Sequence, residues 1–183
     1  MKSHETTAPA ERRRMFRRDE RGMTAVEFAL IFPIMLALYW GAVDISQVLT
    51  ADRKVTSMAN TTADLIAQAE TVDAAALTDI YAAATEIMNP LPTTDLSIVV
   101  TSITVDDQGD PEVDWSDAHN GSVRTTPSGL DIPAGMIVDG GSIIVAEVSY
   151  LYDSIVTKFV SQNFRLDDAF FLRPRKVDKV VLE

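Results

Sequence analysis

RRDERGMTAVEFALIFPIMLALYW, residues 17–40, sets a basic cluster against an apolar run and places one carboxylate, Glu27, at the mouth of that run. A charge near the centre of a bilayer costs at least about 2.5–3.5 kcal/mol on insertion scales. From Phe28 to Val43 sixteen consecutive residues are uncharged, and Glu27 is the only charge among the 22 residues from Gly22 to Val43. At 1.5 Å per residue such a helix reaches roughly 33 Å, enough to cross a hydrocarbon core of about 30 Å. The stretch therefore reads as a membrane helix whose carboxylate needs a partner.

Working outward, the charge is unevenly divided. Residues 1–22 carry seven Lys/Arg against four acids, a net of +3, which leaves nine basic and 23 acidic residues beyond Gly22, a net of −14. A basic head before an apolar segment points to a cytoplasmic N-terminus and an exported body. An acidic body argues against nucleic acid as a partner, since binding a phosphate backbone requires a basic face. The chain has no cysteine, which removes disulfides, thiolate catalysis and cysteine-based metal sites.

Beyond the membrane edge, Ile45, Val48, Val55, Ala59, Thr62, Ile66 and Ala69 recur at steps of three and four, with a weak position at Asp52. With no Gly or Pro between 42 and 70, one helix is expected to run from about 23 to 70. A second stripe, Leu77, Ile80, Tyr81, Ala84, Ile87 and Met88, predicts a short helix over 73–88, capped by Thr71 or Asp73 and ended by Asn89-Pro90. After Pro92 the period changes to two. LSIVVTSITV (96–105) reads as a half-buried strand, DDQGDP (106–111) as a turn, EVDWSD (112–117) as its partner strand, and 118–141 as a long loop. SIIVAEVSYLY (142–152) is a further strand and DAFFLRPR (168–175) a last one. The fold class expected is α+β: a long N-terminal helix, a short second helix and a small antiparallel sheet over 95–175, pilin-like in outline.

The membrane segment admits several readings. A cleavable secretory signal would need a small-x-small site near LYWGAVDISQ, where Tyr39 and Trp40 stand instead. An ordinary anchor leaves Glu27 unexplained. A buried core helix sits poorly with the arginines ahead of it. The order of residues offers a fourth reading: a basic cluster, Gly22, four uncharged residues, Glu27, then the apolar run, which resembles a type IV prepilin cleavage site. In that family a membrane peptidase cuts after the glycine, so Met23 would become the first mature residue. The new α-amino group, with an ordinary pKa of about 7.7–8, would lie one helical turn from Glu27 and could pair with it or with that of a neighbouring subunit. A paired carboxylate is far cheaper in a membrane than a bare one.

The resemblance narrows further. Arg21, Gly22, Ala25, Val26, Glu27, Phe28, Ala29, Leu30, Pro33, Gly41 and Asp44 match the opening of the TadE-like family, minor pseudopilins of the tight-adherence (Flp) pilus system. VAEVSYLY (145–152) and RPR (173–175) are similar to that family's sheet strand and ending. Met23 and Thr24 stand where the family often has Ala. The resemblance implies a leader over 1–22, a transmembrane helix over 23–43 and a periplasmic α+β domain over 44–183, with a helix extension over 44–70. Gly22 and Met23 become the processing residues, and Glu27, Phe28 and Pro33 the assembly residues. The implied partners are a prepilin peptidase, a related minor pilin, the major Flp pilin, the inner-membrane assembly platform and the bilayer. Pro33 removes the hydrogen bond to the Ala29 carbonyl and is expected to kink the helix.

Other motifs read as structure. DDQGDPEVD (106–114) holds five acids without the spacing of an EF-hand, so a solvated hairpin is expected over a calcium loop. HNGS (119–122) reads as a turn. His119 is the only histidine beyond the lead-in, so neither a two-histidine metal site nor a serine triad with a free choice of base is available in one chain. VDGGS (138–142) lacks the lysine and spacing of a phosphate-binding loop. No enzymatic activity, cofactor, metal or small-molecule substrate is expected.

Overall fold

The computed structural model describes residues 20–105, 110–130, 132, 135–136, 141–154 and 164–183, with only the backbone for residues 20 and 21. The basic lead-in and most of the 106–111 turn lie outside the described residues. Helix α1 spans Glu20–Ala67, followed by β1 (Thr71–Val72), α2 (Ala74–Glu86), β2 (Leu96–Val105), β3 (Pro111–His119), β4 (Ser142–Tyr152), β5 (Phe164–Leu172) and β6 (Val181–Leu182). The chain divides into two compact units after Val43, the second being Asp44–Glu183. This is the α+β arrangement expected from the sequence.

Within the second unit, α1 from Asp44 onward buries Ala51, Val55, Met58, Ala59, Thr62, Ala63 and Ile66. The stripe differs from the sequence reading at its start. Asp44 points inward and Ile45 is 63% exposed, while Ala51 takes the position that Asp52 seemed to leave weak. The rotation follows from spacing, since 44, 48, 51, 55, 58, 62 and 66 keep one face at 3.6 residues per turn, whereas 45 falls about 100° away. The α1 end is closed from outside: the Arg175 N–H donates to the Ala67 carbonyl at 2.8 Å, satisfying one of the orphan acceptors of a helix C-terminus.

Helix α2 starts on Asp73, whose Oδ1 accepts from the Ala76 N–H at 2.7 Å. Such a cap stabilises by about 1 kcal/mol. At its other end, Lys54 of α1 reaches over with Nζ to the carbonyls of Ile87 (2.6 Å) and Asn89 (2.8 Å), placing a cation at the negative end of the helix dipole. Leu77, Tyr81, Ala84 and Met88 face the core.

The sheet has order β3-β2-β4-β5, antiparallel throughout. One face carries Leu96, Ile98 and Val100 of β2, Ile144, Ala146, Val148, Tyr150 and Tyr152 of β4, and Trp115 of β3, in one cluster with the inward stripes of both helices. A fully buried side chain of this size stabilises by about 1.5–3 kcal/mol. The last strand begins earlier than its reading at 168–175, because Phe164–Leu166 continue the register with Tyr150–Tyr152, and Arg173–Arg175 lie beyond it.

The other face was expected to be solvated, yet β2 is buried on both sides at Thr101, Ser102 and Ile103. The chain after β3 supplies the cover. Asn120 adopts φ +52°, turning it back across the sheet. Gly121 then passes so close that a Cβ there would lie 2.5 Å from Ser97 Oγ and 3.0 Å from Val99 Cγ2. Further on, Leu130, Ile132 and Met136, together with Phe171 of β5, pack on Ile103, Ile143 and Val145. Arg173 holds this strap from beyond β5, donating to the carbonyls of Met136 (2.5 Å) and Gly135 (2.9 Å).

The C-terminal residues add an element the sequence reading lacked. β6 pairs in parallel with β1, Thr71 opposite Val181 and Val72 opposite Leu182. The two strands are too short and too far apart in sequence to show a periodic signal. Trp115 Nε1 donates to the buried Val180 carbonyl at 2.8 Å, and Lys179 pairs with Asp114 at 2.5 Å and Arg175 with Asp64 at 2.5 Å.

Candidate functional site

The first unit offers the N-terminal helix itself. Gly22–Ala67 is the one described helix long and apolar enough, by length and composition, to cross a membrane. Every large apolar side chain from Met23 to Trp40 is 43–70% exposed. Leaving such a surface in water costs about 25 cal/mol per Å², so lipid or other helices must cover it. Phe28 and Phe32, one turn apart, set their rings 5.5 Å between centroids, and Tyr39 meets Trp40 at 6.2 Å. Aromatic pairs of the Tyr-Trp kind favour the membrane–water interface.

The residues singled out for processing and assembly fall on this helix. Gly22 lies inside α1, two residues after its start, and a Cβ there would meet nothing within 4 Å. The backbone at Gly22 is helical. The first helical turn has no internal acceptors for its N–H groups and unwinds at little cost. Met23, Glu27 and Phe28 are exposed on the same helix. Pro33 stands within the helix, which is continuous on both sides of it.

Within the second unit two polar arrangements were not legible in the sequence. Asp44 is 9% exposed and accepts a hydrogen bond from the Ser154 hydroxyl, 110 residues away. The Tyr152 phenol beside it is pushed above its usual range by burial, with the Asp44 and Asp153 carboxylates adding to the effect. On the strap, Arg124 forms a two-pronged pair with Glu147 of β4, Nη2 to Oε1 at 2.6 Å and Nε to Oε2, while its N–H donates to Ser116 Oγ at 3.0 Å. Hydrogen bonding to Glu147 raises the Arg124 pKa against the opposing effect of burial. Only a residue pattern linking positions 20 or more apart would have revealed either pair.

Tyr81 Oη donates to Asp117 Oδ2 at 2.8 Å, with its ring 5.7 Å from that of His119. Burial first, and then the Asp117 hydrogen bond and charge, push the Tyr81 phenol well above its usual range. Among the described residues no group of three or more His, Asp or Glu gathers to hold a metal. An open groove of about 310 Å³ runs past Asp95, Ser97, Asn120, Ser149 and Arg165. Its arginine is turned to Asp167 at 2.9 Å.

The exposed apolar helix suggests a single-pass membrane anchor. No curated protein and no solved structure matches the chain. Residues 22–64 match the family model described as TadE-like protein, a stretch that takes in Gly22, Glu27, Pro33 and Asp44. That segment is similar to TadE-like proteins, which suggests involvement in a tight-adherence pilus system.

Proposed function

We propose that the chain is a minor pilin or pseudopilin, cut by a prepilin peptidase after Gly22 and active in initiating or capping a tight-adherence pilus. The observation that carries this reading is the exposed apolar helix with one carboxylate near its start, Glu27, inside a TadE-like segment. Before assembly, lipid covers the helix, with the arginines on the cytoplasmic side and the acidic domain in the periplasm. Cleavage exposes the Met23 amino group. Glu27 then pairs with that cation, on its own chain or a neighbour's, and sets the depth at which helices pack side by side.

Phe28 and the apolar residues after it supply the packing surface, and Pro33 frees the Ala29 carbonyl, a weak point where the segment adapts between bilayer and filament. The domain beyond Asp44 meets a related minor pilin, while the major pilin and the assembly platform are met through the helix. This reading gives the chain an assembly role and no catalysis.

Intact mass and N-terminal sequencing of the protein from membranes test the reading, beside a Gly22→Ala variant. The added methyl meets no described residue within 4 Å. A mature chain beginning at Met23, lost in the variant, is expected. An N-terminus still at Met1 in cells that make the peptidase would turn the reading to an uncut, membrane-tethered scaffold.

A further inference from the structure

Asp44 is the first charge after the apolar run, and a carboxylate at that place would ordinarily hydrate among the headgroups. Here it is almost wholly shielded within the second unit, on the hydroxyl of Ser154, two residues past the end of β4. Shielding a carboxylate is unfavourable unless hydrogen bonds replace its water, so its retention calls for a reason.

The packing of α1 provides one. In the upper part of the domain's helix, Met58 and Ile66 are large and fully buried, and they anchor it to the sheet. From Asp44 to Ala51 the situation differs. Ala51 is buried but small, Val48 is only partly buried, and Ile45 and Leu49 are 63% and 51% exposed. Among the described residues from Asp44 to Ala51 no large apolar side chain is fully buried. Of the row that repeats every four residues, Ala51, Ala59, Ala63 and Ala67 are small and only Val55 is branched, so the row specifies position along the axis poorly. A polar contact with one geometry does what smooth packing cannot.

We infer that Asp44 is a positioning residue: its bond to Ser154 fastens the N-terminal end of the domain's helix to the chain just past β4. The inference stands on the domain alone and goes beyond the pilin reading.

The absence of cysteine makes the test clean, because introduced cysteines are unique labelling sites. In full-length protein in detergent, spin labels at Gln47→Cys and Thr94→Cys report on this end by dipolar distance measurement. Labels at Ser57→Cys and Asp79→Cys report on the upper part. In the wild-type background and in Asp44→Asn, which keeps an acceptor oxygen, both pairs should give narrow distributions. In Asp44→Ala and in Ser154→Ala the 47/94 distribution should widen by at least about twofold, with shifts up to one helical turn of about 5 Å, while 57/79 stays narrow. Unchanged 47/94 distances in both alanine variants would overturn the inference. If Asp44→Ala disturbs both pairs, Ser154→Ala decides: selective widening supports the fastening and equal widening refutes it. No step involves a pilus, so failure here leaves the pilin reading where it was, and failed cleavage after Gly22 leaves this inference where it was.

Discussion

Replacing Trp115 by Phe probes how much of the domain's stability runs through its C-terminal residues. The indole N–H donates to the Val180 carbonyl at 2.8 Å, Val180 is fully buried, and Trp115 itself is 9% exposed. Phenylalanine keeps most of the apolar contact but leaves that carbonyl without its donor. An unsatisfied buried acceptor costs about 1–3 kcal/mol, and the smaller ring adds about 1 kcal/mol for the space left behind. The expected loss is therefore about 2–4 kcal/mol. At about 3 °C per kcal/mol for a domain of this size, the melting temperature should fall by roughly 6–12 °C. Near-ultraviolet circular dichroism of full-length protein in detergent reads the melt. Hydrogen exchange supplies the local measurement: the amides of Val181 and Glu183, which donate to Glu70 and Val72, should lose protection before those of β4. A melt within 1 °C of the wild type would refute the reasoning, as it would mean that water already reaches Val180.

Three further outcomes are expected. Arg124→Met and Glu147→Leu should each destabilise by about 1–2 kcal/mol in urea titrations, and the double variant by less than the sum, because each single change strands a partly shielded charge. Above pH 10 the domain should weaken: the Tyr81 phenol is raised in the folded state, so its contribution is complete below the ordinary phenol pKa of about 10 and declines as pH rises towards the folded value. Tyr81→Phe should flatten that alkaline decline, measured as the urea midpoint at pH 8 and pH 10.5. Glu27→Ala should leave membrane insertion intact while reducing incorporation into pili, scored by fractionation and by immunoblotting of sheared filaments; normal incorporation would count against the pairing of Glu27.

The parts of the fold that sequence revealed are those with short-range causes. The apolar run after Gly22, the 3.6-residue stripes of α1 and α2 and the alternation of β2 and β4 each arise within a window of one element, and the Asp73 cap is a local competition for N–H groups. Misreadings arose where cover came from afar. Ile45 looked inward because its neighbours along the chain permitted it, and only the contact between Asp44 and Ser154 shows which side faces the sheet. The second face of β2 looked solvated because the strap that covers it leaves β3 through a turn whose destination Asn120-Gly121 does not encode. β1 and β6 pair across more than 100 residues with two residues each, too little for any period. The residues proposed for processing and assembly are read from one short window: Gly22, Met23, Glu27, Phe28 and Pro33 lie within twelve consecutive residues of one helix.

The cations of the domain have a consequence for encounters. Lys54, Arg124, Arg165, Arg173, Arg175 and Lys179 are each turned to carbonyls or carboxylates of their own chain, six of the eight Lys/Arg among the described residues beyond Gly22. Beyond Gly22 the acids outnumber the bases 23 to nine, so the net charge there is −14. At low ionic strength two such domains repel over a Debye length of about 10 Å, which disfavours contact between identical copies through their domains and leaves the apolar helix as the route to homotypic contact. A basic protein approaching the domain should be steered towards it by this charge, and added salt should slow that approach.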